Sequence, residues 1–155
     1  MKYWLFKSEP SCFGIDDLAK RPNQITHWDG VRNYQARNMM RDEMKVGDQG
    51  FFYHSSCDEP GIAGTIQIVR SGYPDHTQFD PDADHFDPMS SPDNPRWFMV
   101  DVKLLKKFNR VLSLKELREH PSLSNLVVLR KGNRLSITPV SAEDYQTILH
   151  LYTEP

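Results

Sequence analysis

At 155 residues and 38% hydrophobic content, the chain has the size of one domain and enough apolar sequence to bury a sizeable core. No apolar run approaches the length of a membrane span, the opening MKYWLFK is too short and too charged for a secretory signal, and only Cys12 and Cys57 are present, so a reduced, cytoplasmic protein is expected. Net charge is −2, which speaks against indiscriminate phosphate binding, but residues 103–134 hold nine Lys/Arg against two Glu and residues 58–101 nine Asp/Glu against two Arg, so the fold can carry one basic face.

Residues 2–7 (KYWLFK) read as a strand stopped by Ser8-Glu9-Pro10. Gly14 caps a predicted helix over 15–20, with Asp16 and Asp17 in the first turn, where carboxylates favour unpaired N–H groups. Residues 31–44 lack Gly and Pro and predict a longer helix, with Tyr34, Met39 and Met40 packing inward and Arg37 and Arg41 sharing a face. Strand alternation over 50–55 puts Phe51, Tyr53 and Ser55 on one side and Phe52, His54 and Ser56 on the other. A second strand over 61–70 aligns Ile62, Gly64, Ile66 and Ile68 on one face.

Residues 71–95 carry five of the eleven prolines and many Asp and Ser, and read as a long surface excursion, functional or flexible. Strand character returns over 96–105. Ser113 and Glu116 have capping-box spacing for a short helix, and Ser141 and Asp144 repeat it before a last helix over 142–151, with an extended segment at 134–140 between them. Curved strands broken by short helices predict a single α+β domain around a small mixed barrel.

Four constellations carry chemical interest. Trp28-Asp29-Gly30-Val31-Arg32-Asn33-Tyr34 places an aromatic at a turn feeding a helix. Trp28 either offers its face to a base or closes the core, and Asn33 and Asn38 either read a base edge or cap turns. Tyr53-His54-Ser55, with Ser56 and Cys57, raises an alternative of an enzyme acting on a nucleobase or nucleotide, although strand neighbours point to opposite faces. Asp80, Asp82 and Asp84, near His76, His85 and Asp87, begin like a calcium loop, but His85 and Ser91 stand where that loop needs Gly and Glu. Arg130, Lys131 and Arg134 flank a turn at Gly132-Asn133 and are positioned for phosphate contact.

The segments YWLFKSEP, HWDGVRNYQARNMMR, GDQGFFYHSSCDEPGIAG, RWFMVDVK and RLSITP, in this order, resemble the EVE domain family over about residues 3–151. The resemblance implies a PUA-like mixed β-barrel flanked by short helices, related to the YTH domains that read methylated adenine in RNA. It further implies a non-catalytic reader of a modified base, a modified cytosine in DNA or a modified base in RNA, taken flipped out or single-stranded. Neither cofactor nor metal nor membrane is implied. Matched position by position, Ser8, Glu9, Trp28, Asn33, Tyr34, Asn38, Tyr53, His54 and Ser55 are expected to line or support the pocket, with Trp97 as a second aromatic. A third alternative is a protein-interaction module using the 71–95 loop.

Overall fold

In the computed structural model, which describes residues 1–153, the first strand β1 (Tyr3–Ser8) runs parallel to β3 (Gln49–His54) and antiparallel to β6 (Ile137–Val140). β3 pairs with β4 (Gly61–Pro74), β4 with β5 (Phe98–Ser113), and β5 with the three-residue β2 (Ile25–His27). The result is one mixed sheet in the order β2-β5-β4-β3-β1-β6. Short helices fill the connections: α1 (Pro10–Phe13), α2 (Ile15–Ala19), α3 (Tyr34–Asn38), α4 (Leu114–Glu119) and α5 (Ala142–Thr153). The α+β class with short flanking helices is as the sequence implies.

Both faces of the sheet are buried, and alternation sorts the side chains. Trp4, Phe6 and Phe52 join Trp28, Met40, Ile66 and Val102 in one cluster, while Leu5, Phe51 and Tyr53 join Phe108, Leu112 and Tyr145 in the other. The predicted single face of β4 does not hold. Ile62 packs in the second cluster and Ile66 and Ile68 in the first, because a register shift between Ile62 and Gly64 moves the following side chains across the sheet. Gly64 permits this close approach, since a Cβ there would stand 2.3 Å from the carbonyl oxygen of Lys106.

Local signals place the helices well. In α2 the N–H of Gly14 donates to Asp17 Oδ2 at 2.7 Å, and before α4 Ser113 and Glu116 bond reciprocally. Before α5, Ser141 Oγ accepts from the N–H of Asp144 at 3.0 Å. The predicted 31–44 helix starts later: Asn33 caps it, accepting from the N–H of Ala36 at 3.0 Å, and its last turn, Met39–Glu43, widens to a π-helix. Met39 and Met40 are buried, but Tyr34 is 51% exposed, contrary to its predicted inward packing.

The 71–95 segment departs most from expectation. β4 continues to Pro74, and a tight turn (His76–Phe79) follows at once. Gln78 is fully buried; its amide donates to the carbonyls of Asp75 and Trp97, and its oxygen accepts from the N–H groups of Arg96 and Trp97. One satisfied side chain therefore ties both ends of the excursion together. Among the described residues no helix is long and apolar enough to cross a membrane.

Candidate nucleic-acid interface

A cavity of about 530 Å³ opens where the two edges of the sheet approach each other. Lys7, Ser8 and Glu9 come from the end of β1, Ser136 from the approach to β6, and Thr26 and His27 from β2. Trp28 through Arg32 form one wall, Phe13 and Arg21 another, and His85 reaches in from the excursion. This volume lies within the range of small-ligand pockets, roughly 300–1,000 Å³.

Trp28 is a core residue and a cavity residue at once. It is 8% exposed, and Phe6, Phe52 and Phe13 meet it edge-on at 5.1, 5.5 and 6.5 Å between ring centroids. Three perpendicular rings fix its orientation. Its N–H donates to the carbonyl of Val100 at 2.8 Å, so β2's pairing with β5 carries through to it.

The loop that follows is clamped from behind. Asp75 is fully buried and accepts from the N–H of Gly30 at 2.8 Å, from Arg32 Nη1 at 3.1 Å and from the Thr77 hydroxyl at 2.6 Å. Burial by itself raises the Asp75 pKa, but the bonds from Thr77, Gly30 and Arg32 outweigh it and hold the carboxyl below its ordinary range. Arg32 also donates to the Thr77 hydroxyl and, twice, to the carbonyl of His85. Gly30 sits at φ +80, and a Cβ there would meet the His85 ring at 2.9 Å. The Pro- and Asp-rich excursion thus builds the back of the cavity.

Ser8, Glu9 and Trp28 are the predicted site residues that share this cavity. Ser8 Oγ donates to the carbonyl of Phe13 at 2.6 Å, leaving its lone pairs for a ligand. The others are placed elsewhere. Asn33 is a helix cap, and Asn38 accepts from the Arg37 guanidinium on the surface. Tyr34 stacks on Trp97 at 4.8 Å, and Trp97 is buried, donating from Nε1 to Asp87 Oδ2 at 2.7 Å; the pair packs behind the Asp29–Arg32 loop, with Arg32 over the Trp97 ring. Tyr53 points into the opposite cluster, as strand alternation from Phe52 requires.

His54 Nε2 accepts from the N–H of Ile15 at 3.1 Å, and burial lowers its pKa against a smaller opposing effect of Asp16. That nitrogen is committed to backbone. No hydrogen bond joins His54, Ser55 and Cys57 among the described residues, so the set considered as nucleophile and base is not assembled. Nor does any group of three or more His, Cys, Asp or Glu among the described residues form a metal site.

A second, smaller recess of about 310 Å³ adjoins the first. Tyr53, Ser55, Arg130 and Lys131 meet there with Lys7 and Arg118; Arg134 does not line it. Sequence reasoning missed Lys7, Arg118, Asp29, Phe13 and His85. Asp29 and Lys7 lie inside flagged segments without having been singled out, whereas the partnership of His85 with Gly30 joins residues 55 positions apart and leaves no local signal.

The family model of the EVE domain matches residues 2–151. Thymocyte nuclear protein 1 of Danio rerio is 48% identical over 168 residues, covering 97% of this chain and 72% of that protein. A crystal structure of human THYN1 protein in complex with 5-methylcytosine containing DNA superposes with a TM-score of 0.93 at 45% identity, covering 100% of this chain and 99% of the other. A crystal structure of a Pseudomonas putida protein gives 0.92 at 47% identity, covering 97% and 99%.

Proposed function

The chain belongs to the EVE domain family, and from that footing we propose that it binds DNA carrying a modified cytosine, without catalysis, by taking the base into the Trp28 cavity. The observation that carries this reading is the cavity itself, which brings a fixed aromatic ring and exposed carboxylates together in a chain 45% identical to a THYN1 protein seen with 5-methylcytosine DNA.

The chemistry suits cytosine. Its exocyclic amine is a donor, and carboxylates accept from it, whereas the thymine oxygen at that position is repelled. Glu9 and Asp29 are exposed at the cavity, and neither is in an ion pair with a described residue. Trp28, Phe13 and Val31 give the 5-methyl group an apolar surface. Full burial of one methyl is worth about 0.8 kcal/mol, a few-fold in affinity. A stacked, paired base cannot enter a concave site, so the base is flipped out or single-stranded, and flipping costs a few kcal/mol.

Titrating intrinsic tryptophan fluorescence with DNA and RNA oligonucleotides, with and without 5-methylcytosine, tests the reading. Tighter binding of the modified DNA is expected. Trp28→Ala removes a core ring and is expected to cost roughly 3–5 kcal/mol of stability, so Trp28→Phe is the informative variant. It is expected to fold and to lose preference, as are Glu9→Gln and Asp29→Asn. Absence of DNA binding at low salt, or full preference in all three variants, overturns the reading; tighter binding of modified RNA reassigns the partner.

A further inference from the structure

The recess beside the Trp28 cavity gathers four cations, Lys7, Arg118, Arg130 and Lys131, and its lining includes no carboxylate. None of the four is in an ion pair with a described residue. Like charges gathered without an acid repel one another, and an anion removes that cost.

Two further features point to a ligand. Tyr53 lines the recess, and its hydroxyl has no hydrogen-bond partner among the described residues and is not sealed in the core, so it is open to a ligand there. The basic turn is also held in place: Asn133 donates from Nδ2 to the carbonyl of Val127 at 3.1 Å, and its oxygen accepts from the N–H of Leu135 at 3.0 Å. Arginine forks and neutral hydroxyls lining one recess match the several acceptor oxygens of a phosphate.

Position selects which phosphate. Lys7 lines both cavities, and Ser8 of the first is bonded to Ser55 of the second, whose N–H donates to the Ser8 carbonyl at 3.0 Å. The two sites therefore stand on either side of one strand. Charges along a single nucleic-acid strand recur about every 3.4 Å of helix axis, so a strand that gives a base to one cavity carries phosphates past the other. We propose that the recess of Lys7, Tyr53, Ser55, Arg118, Arg130 and Lys131 holds a backbone phosphate of the same strand whose base enters the Trp28 cavity. The assignment rests on the reading of that cavity as a base pocket.

The test uses the full chain with a 5-methylcytosine duplex and its unmodified counterpart, across a salt series. The double variant Arg118→Gln/Lys131→Gln is expected to weaken binding to both duplexes equally and to reduce the slope of log K against log salt by about one. Tyr53→Phe, nearly isosteric, is expected to keep its Tm and lose several-fold in affinity for both. Inorganic phosphate, followed by amide NMR, is expected to shift Tyr53 and Ser55 in the wild type and not in the double variant. Unchanged affinity and slope in both variants, with modification preference still abolished by Trp28→Phe, overturns the phosphate site and leaves the base pocket standing. Phosphate shifts without any change in DNA binding make the recess a small-anion site, which also overturns the proposal. If the wild type binds no DNA, the base reading fails first.

Discussion

Asp75 Oδ2 accepts from the backbone N–H of Gly30 at 2.8 Å, across 45 positions of sequence. The bond joins the excursion to the loop that walls the cavity. It also explains why a carboxylate is tolerated with no exposure, since Gly30, Arg32 and Thr77 together satisfy it. Asp75→Asn keeps the shape but removes the charge and one acceptor. It is expected to cost about 3 kcal/mol, as when one partner of a buried pair is removed. Urea denaturation measures this; a loss below half that value means that the clamp contributes little to the fold.

Gly30→Ala imposes two separate penalties: a positive φ of 80° and a Cβ at 2.9 Å from the His85 ring. Backbone strain of this kind costs about 1–3 kcal/mol. Adding His85→Ala should relieve the contact and leave the strain, so the double variant is expected to recover part of the lost Tm. Full recovery means that φ at this position carries no cost.

Asn33 serves as the cap of α3 through the N–H of Ala36. Asn33→Ala is expected to lower stability by about 1 kcal/mol and to leave the modified-to-unmodified binding ratio unchanged. Paired thermal melts and oligonucleotide titrations separate the two roles. A changed ratio at unchanged stability means that Asn33 reads the base after all.

Acid is expected to weaken the fold in two windows. Burial depresses His54, whose Nε2 must stay unprotonated to accept from Ile15, so its contribution is complete above the unfolded value of about 6.5 and is lost as pH falls through the lower folded value. Asp75 is depressed as well, so its contribution is present above about 3.9 and is lost on further acidification. His54→Gln supplies an acceptor that does not titrate. Between pH 7 and 5 its Tm is expected to fall less than that of the wild type; parallel curves mean that His54 does not couple to folding.

Local patterns made much of this protein legible from sequence. Ser113 with Glu116 and Ser141 with Asp144 set helix starts, because a cap acts within one turn. Period-two alternation separated Phe51 and Tyr53 from Phe52, and the ordered segments around Trp28 identified the family. Which residues share a cavity was decided elsewhere. The register shift in β4 sends Ile62 and Ile66 to opposite faces, and Asp75, Gln78 and His85 shape the cavity through partners far along the chain. Such contacts depend on strand pairing and loop closure, which no local period encodes. The sequence determined that Trp28 matters; only the tertiary structure placed it among Phe6, Phe13 and Phe52 as both core and wall, because burial is a property of what the rest of the chain brings to it.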